Sequence, residues 1–135
     1  MDLSQLVVPD QPYRLELIHP VNKEPLGVFF DIRSAESDEV KAVVRQSLNE
    51  RMSKRARTMT AQDVEDELIE RAAASIMRWD WGDHELDGEK PKHSHAKACE
   101  VLRKYGWIFD QVSAAAEDRA NFTRKSSKNS AKPSA

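Results

Sequence analysis

The chain has 135 residues, with 21 basic and 23 acidic side chains that give a net charge of −2 at neutral pH. This length accommodates a single hydrophobic core, and the slight negative charge provides no general attraction to nucleic acid. No apolar run approaches the ~20 residues that a membrane helix needs. Because a single cysteine cannot form an internal disulfide, we expect a protein of a reducing, cytosolic compartment.

The N-terminal third predicts a β-hairpin. In residues 13–18 apolar side chains occupy every second position, which is typical of a half-buried strand. A turn rich in proline follows, and residues 26–33, which include Phe29 and Phe30, are predicted to form the returning strand. Two strands alone are marginally stable in water, so we expect the hairpin to lie against helices or against another subunit.

Helical spacing of apolar residues marks the rest of the chain. Helices are predicted near residues 37–56, 61–78, 95–105 and 107–121. Thr60, with Asp63 three residues later, resembles a capping box, and Ser94 is a second predicted N-cap. The first two helices are predicted to carry apolar stripes made of Val40, Val43, Val44, Leu48 and Met52, and of Val64, Leu68, Ala72 and Ile76.

These elements predict a mainly α-helical fold. Residues 1–122 are expected to form one domain with an N-terminal hairpin. Residues 123–135 are polar and basic without apolar periodicity, which is the composition of a flexible tail.

Two patterns between residues 83 and 99 suggest metal binding. The first resembles the opening of a calcium loop, with oxygen ligands Asp83, Glu85 and Asp87 before Gly88. Its twelfth position is Ser94, where a calcium loop needs a glutamate, so we do not expect calcium.

The second pattern consists of His84, His93, His95 and Cys99, of which His95 and Cys99 share a helical face. Zinc sites usually combine two closely spaced ligand pairs, and a polar helix entry capped by Ser94 explains the same residues. Zinc is therefore the less favoured interpretation, and we expect no metal and no cofactor.

The residues do not predict an enzyme. Cys99 is the single thiol and lies among apolar residues, which indicates a buried small side chain rather than a nucleophile. The four glycines are scattered and form no phosphate-binding loop.

The three tryptophans are the strongest positional signal, because tryptophan serves both as core filler and as an interface anchor. Trp79 and Trp107 are expected in the core. Trp81, beside Gly82 and an acidic loop, is expected at the surface.

Two charged clusters could bind partners. The early face of the second helix is acidic and includes Glu67 and Glu70, which indicates either a solvated face or a docking surface for a basic partner. The basic cluster of residues 51–57 could contact nucleic acid, but no aromatic residue interleaves its charges, so a solvated helix end is favoured. The basic residues of this cluster are Arg51, Lys54, Arg55 and Arg57.

Residues 74–122 resemble the tail assembly chaperones of long-tailed bacteriophages with flexible tails. The shared features, in chain order, are the tryptophan-containing segment IMRWDW, a loop with LDGE, a short helix HAKACEVLRKY, the helix opening WIFDQV and the closing RANF. The general plan of a hairpin followed by helices in a small chain agrees over residues 13–122.

The resemblance implies a non-enzymatic role in the host cytoplasm. Such chaperones coat the aggregation-prone tape measure protein before the tail tube polymerises around it, and they are absent from the finished virion. They self-associate, and many are also made in a frameshift-extended form that recruits the tail tube protein. The expected partner-binding residues here are Phe29, Phe30, Glu67, Glu70, Trp79 and Trp81. The alternative is a small nucleic-acid-associated regulator that uses residues 51–57 and the basic tail.

Overall fold

The computed structural model describes residues 3–55 and 60–123. Within these residues there are three β-strands, four α-helices and two short 3-10 helices. The strands are β1 (Tyr13–Ile18), β2 (Pro25–Ile32) and β3 (Ile76–Asp80); the α-helices are α1 (Asp38–Arg55), α2 (Ala61–Ser75), α3 (His95–Lys104) and α4 (Gly106–Glu117); the 3-10 helices span Leu3–Gln5 and Arg119–Phe122. Most of the predicted tail, residues 124–135, lies outside the described part of the chain.

The sheet corrects the predicted fold class. The hairpin of β1 and β2 is confirmed, but β3 adds to it as a third antiparallel strand, in the order β1-β2-β3. The protein is therefore mixed α/β rather than mainly α. The second predicted helix, 61–78, ends early because Ile76 is already extended, with φ −82° and ψ 116°.

A register shift explains how β3 buries its apolar residues. Asp31 faces Arg78 and Ile32 faces Ile76, so Met77 is an extra residue in β3. An extra residue inverts the side-chain alternation from that point onward. Ile76 and Trp79 are three positions apart and would face opposite sides of a regular strand. The extra residue lets both side chains turn toward the core.

Local capping sets where the helices begin. Thr60 and Asp63 form the predicted capping box, in which each side chain accepts a hydrogen bond from the other residue's backbone N–H. Ser94 caps α3 by accepting a hydrogen bond from the Lys97 N–H, as predicted. Only Tyr105 separates α3 from α4, so the chain turns sharply between these helices.

The core lies between the sheet and helices α2, α3 and α4. Phe30, Ile32 and Leu17 of the sheet are fully buried against Ile108 and Val112 of α4, among others. The helical stripe predicted for α2 is partly wrong. Val64 and Leu68 are 48% and 44% exposed, whereas the core contacts come from Ile69, Ala72, Ala73 and Ile76.

The opposite face of the sheet is polar. Asp31 accepts hydrogen bonds from Arg14 on β1 and from Arg78 on β3, at 3.3 and 2.7 Å. The Arg14 guanidinium also lies 4.4 Å from the ring centre of Phe29. Cross-strand charge pairs of this kind stabilise the solvent-facing side of the sheet.

No helix within residues 3–55 and 60–123 is long and apolar enough to cross a membrane.

Candidate functional site

Trp81 is buried, which corrects its predicted surface position. Its side chain is 6% exposed and packs edge-on against the rings of Phe30 and Trp79, with 5.6 Å between ring centres in each pair. Phe30 is itself fully buried. Phe30 and Trp81 are therefore core residues of this fold, and their partner-binding roles stay predictions.

Trp79 and Trp107, which were expected in the core, pack against it and are partly buried. The Trp79 indole N–H donates a hydrogen bond to the Pro91 carbonyl at 2.9 Å, and the His93 ring packs edge-on against it at 5.1 Å. The segment after the acidic loop is thus fixed beside β3. Phe29 lies on the polar face of the sheet beneath Arg14, half-buried. The partner-binding roles of Trp79 and Phe29 stay predictions.

The outer edge of the hairpin, formed by β1, is covered at one position within the protein itself. The Gln111 side chain of α4 donates to the Ile18 carbonyl and accepts from the Ile18 N–H, both at 2.9 Å. This amide imitates a neighbouring strand and satisfies the backbone there.

The acidic face of α2 is used partly inside the molecule. Asp66 accepts a hydrogen bond from Arg103 of α3 at 3.2 Å. Glu70, one turn later, also faces α3, while Glu67 is half-buried. This surface therefore joins two helices, and the partner-binding role of Glu67 stays a prediction.

Glu70 meets two of the four residues considered above for zinc. Its carboxylate oxygen Oε2 lies 2.5 Å from His95 Nε2 and 3.4 Å from Cys99 Sγ, and the sulfur lies 3.6 Å from the same imidazole nitrogen. Burial, and then the charge of Glu70, raise the pKa of the Cys99 thiol to about 12. The thiol is therefore protonated at neutral pH and donates its hydrogen to Glu70.

The loop that resembles a calcium site is a tight turn. Leu86 and Glu89 form an isolated antiparallel bridge, and the two residues between them, Asp87 and Gly88, both have positive φ, at 54° and 87°. Asp87 accepts hydrogen bonds from Tyr105 and Lys104, and the Tyr105 contact is the main reason that the pKa of Asp87 is lowered. The Asp87 carboxylate thus fixes the loop to the end of α3.

A groove of about 590 Å³ runs beside α1 and is partly apolar. Val40 at its base is 1% exposed, while Val44 and Leu48 further along the helix are half-buried. These residues belong to the apolar stripe predicted for α1, and Met52 at the end of that stripe is 62% exposed. The helix therefore retains apolar surface that the core does not cover.

The basic cluster behind the nucleic-acid alternative is only partly visible. Arg51 is half-buried, whereas Arg57 and the side chains of Lys54 and Arg55 lie outside the described residues. That alternative stays a prediction.

Comparison with known proteins places the chain in a phage context. Residues 35–132 match the YdaY prophage protein family, which covers about three quarters of the chain and includes α1 to α4 and β3. The chain belongs to this family. The YdaY family match shows a phage-derived protein and does not specify a role in tail assembly. Neither a curated protein nor a solved structure matches the chain.

Two features of this YdaY family member have no signal in the amino-acid pattern. Glu70 lies 25 residues from His95, and nothing in the spacing indicates that they meet. The groove is the second such feature, because periodicity identifies the apolar face of α1 without identifying what covers it.

Proposed function

We propose that this prophage protein is a non-enzymatic tail assembly chaperone that binds the tape measure protein and keeps it soluble until the tail tube polymerises around it. The prophage family supports the phage setting, and the resemblance over residues 74–122 supports the class. The structural observation that carries the proposal is the partly apolar groove beside α1. Such a groove suits a helical segment, which inserts apolar side chains at helical spacing.

The charges around the groove indicate the chemistry of that segment. Its lining includes the cations Lys41, Arg45, Arg71 and Arg119 and the carboxylates Glu36 and Glu117. Arg119 donates two hydrogen bonds to Glu36, at 2.8 and 3.0 Å, so this cation is compensated within the chain. The remaining lining is net basic. It complements a partner helix whose apolar stripe is flanked by carboxylates, and opposite charges of this kind chiefly accelerate association.

A chaperone of this type must also release its client. A half-open groove offers modest contacts at each site, and self-association would multiply these sites along a long tape measure chain. Many weak contacts hold the client soluble while each remains replaceable by the growing tube. In this proposal the protein works in the host cytoplasm, is absent from the finished virion, and a frameshift-extended form recruits the tail tube protein.

The test is co-expression with the tape measure protein of the same prophage. A Val44→Asp/Leu48→Asp variant places two carboxylates in the groove, and we expect it to leave the tape measure protein insoluble. The matched control is Val21→Asp, because Val21 is 81% exposed in the turn between β1 and β2 and does not line the groove. Circular dichroism and thermal unfolding check that both variants are folded.

The proposal fails if the wild-type protein does not keep the tape measure protein soluble. The groove assignment fails separately if the folded double variant is as effective as the wild type. Light scattering of the purified protein tests self-association. We expect a molar mass larger than that of one chain.

A further inference from the structure

The cluster of Glu70, His95 and Cys99 combines three different metal-ligand atoms within 4.8 Å of one another. His95 and Cys99 stand one helical turn apart on α3, and Glu70 approaches from α2. An oxygen, a nitrogen and a sulfur from two adjacent helices form a ligand set that zinc accepts.

The spacing of these atoms agrees with tetrahedral coordination. Zinc bonds of about 2.0–2.1 Å to nitrogen or oxygen and about 2.3 Å to sulfur require roughly 3.5 Å between the sulfur and each other ligand. The observed distances from Cys99 Sγ are 3.6 Å to His95 Nε2 and 3.4 Å to Glu70 Oε2. The Glu70–His95 distance of 2.5 Å is a direct hydrogen bond or ion pair. It would open to about 3.3 Å around an ion, which requires only rotation of two partly exposed side chains.

We propose that Glu70, His95 and Cys99 bind one zinc ion that links α2 to α3. The fourth position opens toward a cavity of about 250 Å³, which Glu70 and His95 line together with Glu50 of α1. Water from this cavity completes the coordination.

Without the ion, hydrogen bonds hold the same three side chains together. The thiol donates to Glu70, and Glu70 meets the imidazole. Zinc replaces these hydrogen bonds and releases the thiol proton to solvent, leaving a zinc–thiolate bond. Histidine and cysteine spacing in the sequence does not reveal the carboxylate that α2 supplies to this cluster.

His93 is not a member of this site. Its ring packs against Trp79, and the residue precedes the Ser94 cap of α3. His84 is exposed in the loop after Trp81 and provides a control histidine. Glu65, exposed on α2, provides a control carboxylate.

The test is titration of tag-free protein with Co²⁺ and then with Zn²⁺ as competitor. We expect one Co²⁺ per chain, with a thiolate-to-cobalt charge-transfer absorption and the intense visible absorption of tetrahedral cobalt, both removed by one equivalent of Zn²⁺. Cys99→Ala should abolish the charge-transfer absorption. His95→Ala and Glu70→Gln should each weaken zinc binding by roughly 100-fold. Loss of a residue that only supports a metal ligand costs about 10–100-fold, and loss of a ligand itself should cost at least as much.

The control variants His84→Ala and Glu65→Gln should bind as the wild type does. Because an ion that binds only the native state raises its stability, zinc should also raise the melting temperature of the wild type and of the controls, but not of Cys99→Ala. Glu70→Gln preserves side-chain size, so it remains informative if an alanine variant unfolds. The proposal is overturned if the wild type binds no stoichiometric metal, or if folded Cys99→Ala and Glu70→Gln bind it with wild-type affinity.

Discussion

Gly82 follows the end of β3 and packs closely against Gly27 of β2, so its replacement by alanine should destabilise the fold. Its φ is +60°, and a Cβ built there would lie 2.8 Å from the backbone oxygen of Gly27. Two penalties follow. The left-handed conformation costs a residue with a Cβ about 1–2 kcal/mol, and the contact forces two backbone segments apart, at a cost of about 1–3 kcal/mol that is typical of overpacking.

The structure also supplies matched controls. Gly27 and Gly88 have φ of +73° and +87°, but a Cβ on either meets nothing within 4 Å. Alanine at these positions should therefore incur the conformational penalty alone, reduced by about 0.4–1 kcal/mol because the unfolded chain loses freedom. We expect Gly82→Ala to lower the free energy of unfolding by about 2–4 kcal/mol, and each control by about 1 kcal/mol.

Urea denaturation of the three variants measures the difference. The dependence of the free energy of unfolding on urea concentration should be the same in all three variants. The transition midpoint of Gly82→Ala should then lie well below those of the two controls. If all three midpoints coincide, the close approach between Gly82 and Gly27 does not constrain the fold and this reasoning is wrong.

Three further predictions concern single side chains. Trp81→Ala should lower the free energy of unfolding by about 3–5 kcal/mol because it leaves a cavity in the core. If the variant is as stable as the wild type in urea, the core role of Trp81 is wrong. Gln111→Ala should speed hydrogen exchange at the Ile18 amide and lower stability by about 1–2 kcal/mol, because both backbone groups of Ile18 lose their partner; unchanged exchange at that amide would contradict the edge-capping role. The depressed pKa of Asp87 means that its contribution to stability is fully present above its unfolded pKa and is lost as the pH falls through the lower folded pKa. Carboxyl carbon NMR should show the pKa of Asp87 rising toward its ordinary value in Tyr105→Phe, and an unshifted titration would remove Tyr105 as the cause.

Local rules predicted the parts of the fold that depend on neighbouring residues. The first hairpin strand, observed at Tyr13–Ile18, follows from alternation over a short stretch, and the second, observed at Pro25–Ile32, follows from its branched and aromatic residues. The caps at Thr60 and Ser94 follow from side chains that reach only three residues along the chain. Each of these structures is determined within one turn or one strand, so the sequence pattern suffices.

The third strand could not be predicted in the same way. Arg78, Trp79, Asp80 and Trp81 do alternate, but an alanine-rich helical stretch runs directly into them. The decisive partner is β2, whose Asp31 lies 47 residues from Arg78. An edge strand of five residues becomes stable only when a sheet is already present to receive it. The same limit applies to Glu70, whose role depends on how α2 packs against α3.

The larger apolar side chains of α2 lie outside the core. Small residues, Ala72 and Ala73, face the core where α2 packs against the neighbouring helices, while the larger Val64 and Leu68 are 48% and 44% exposed. In a protein with limited apolar material, a self-contained fold would bury its larger side chains first, because they contribute more to stability. Leaving them outside, together with the open stripe of α1, gives the described helices apolar surface that the core does not cover, and this surface is the basis of the proposed partner binding.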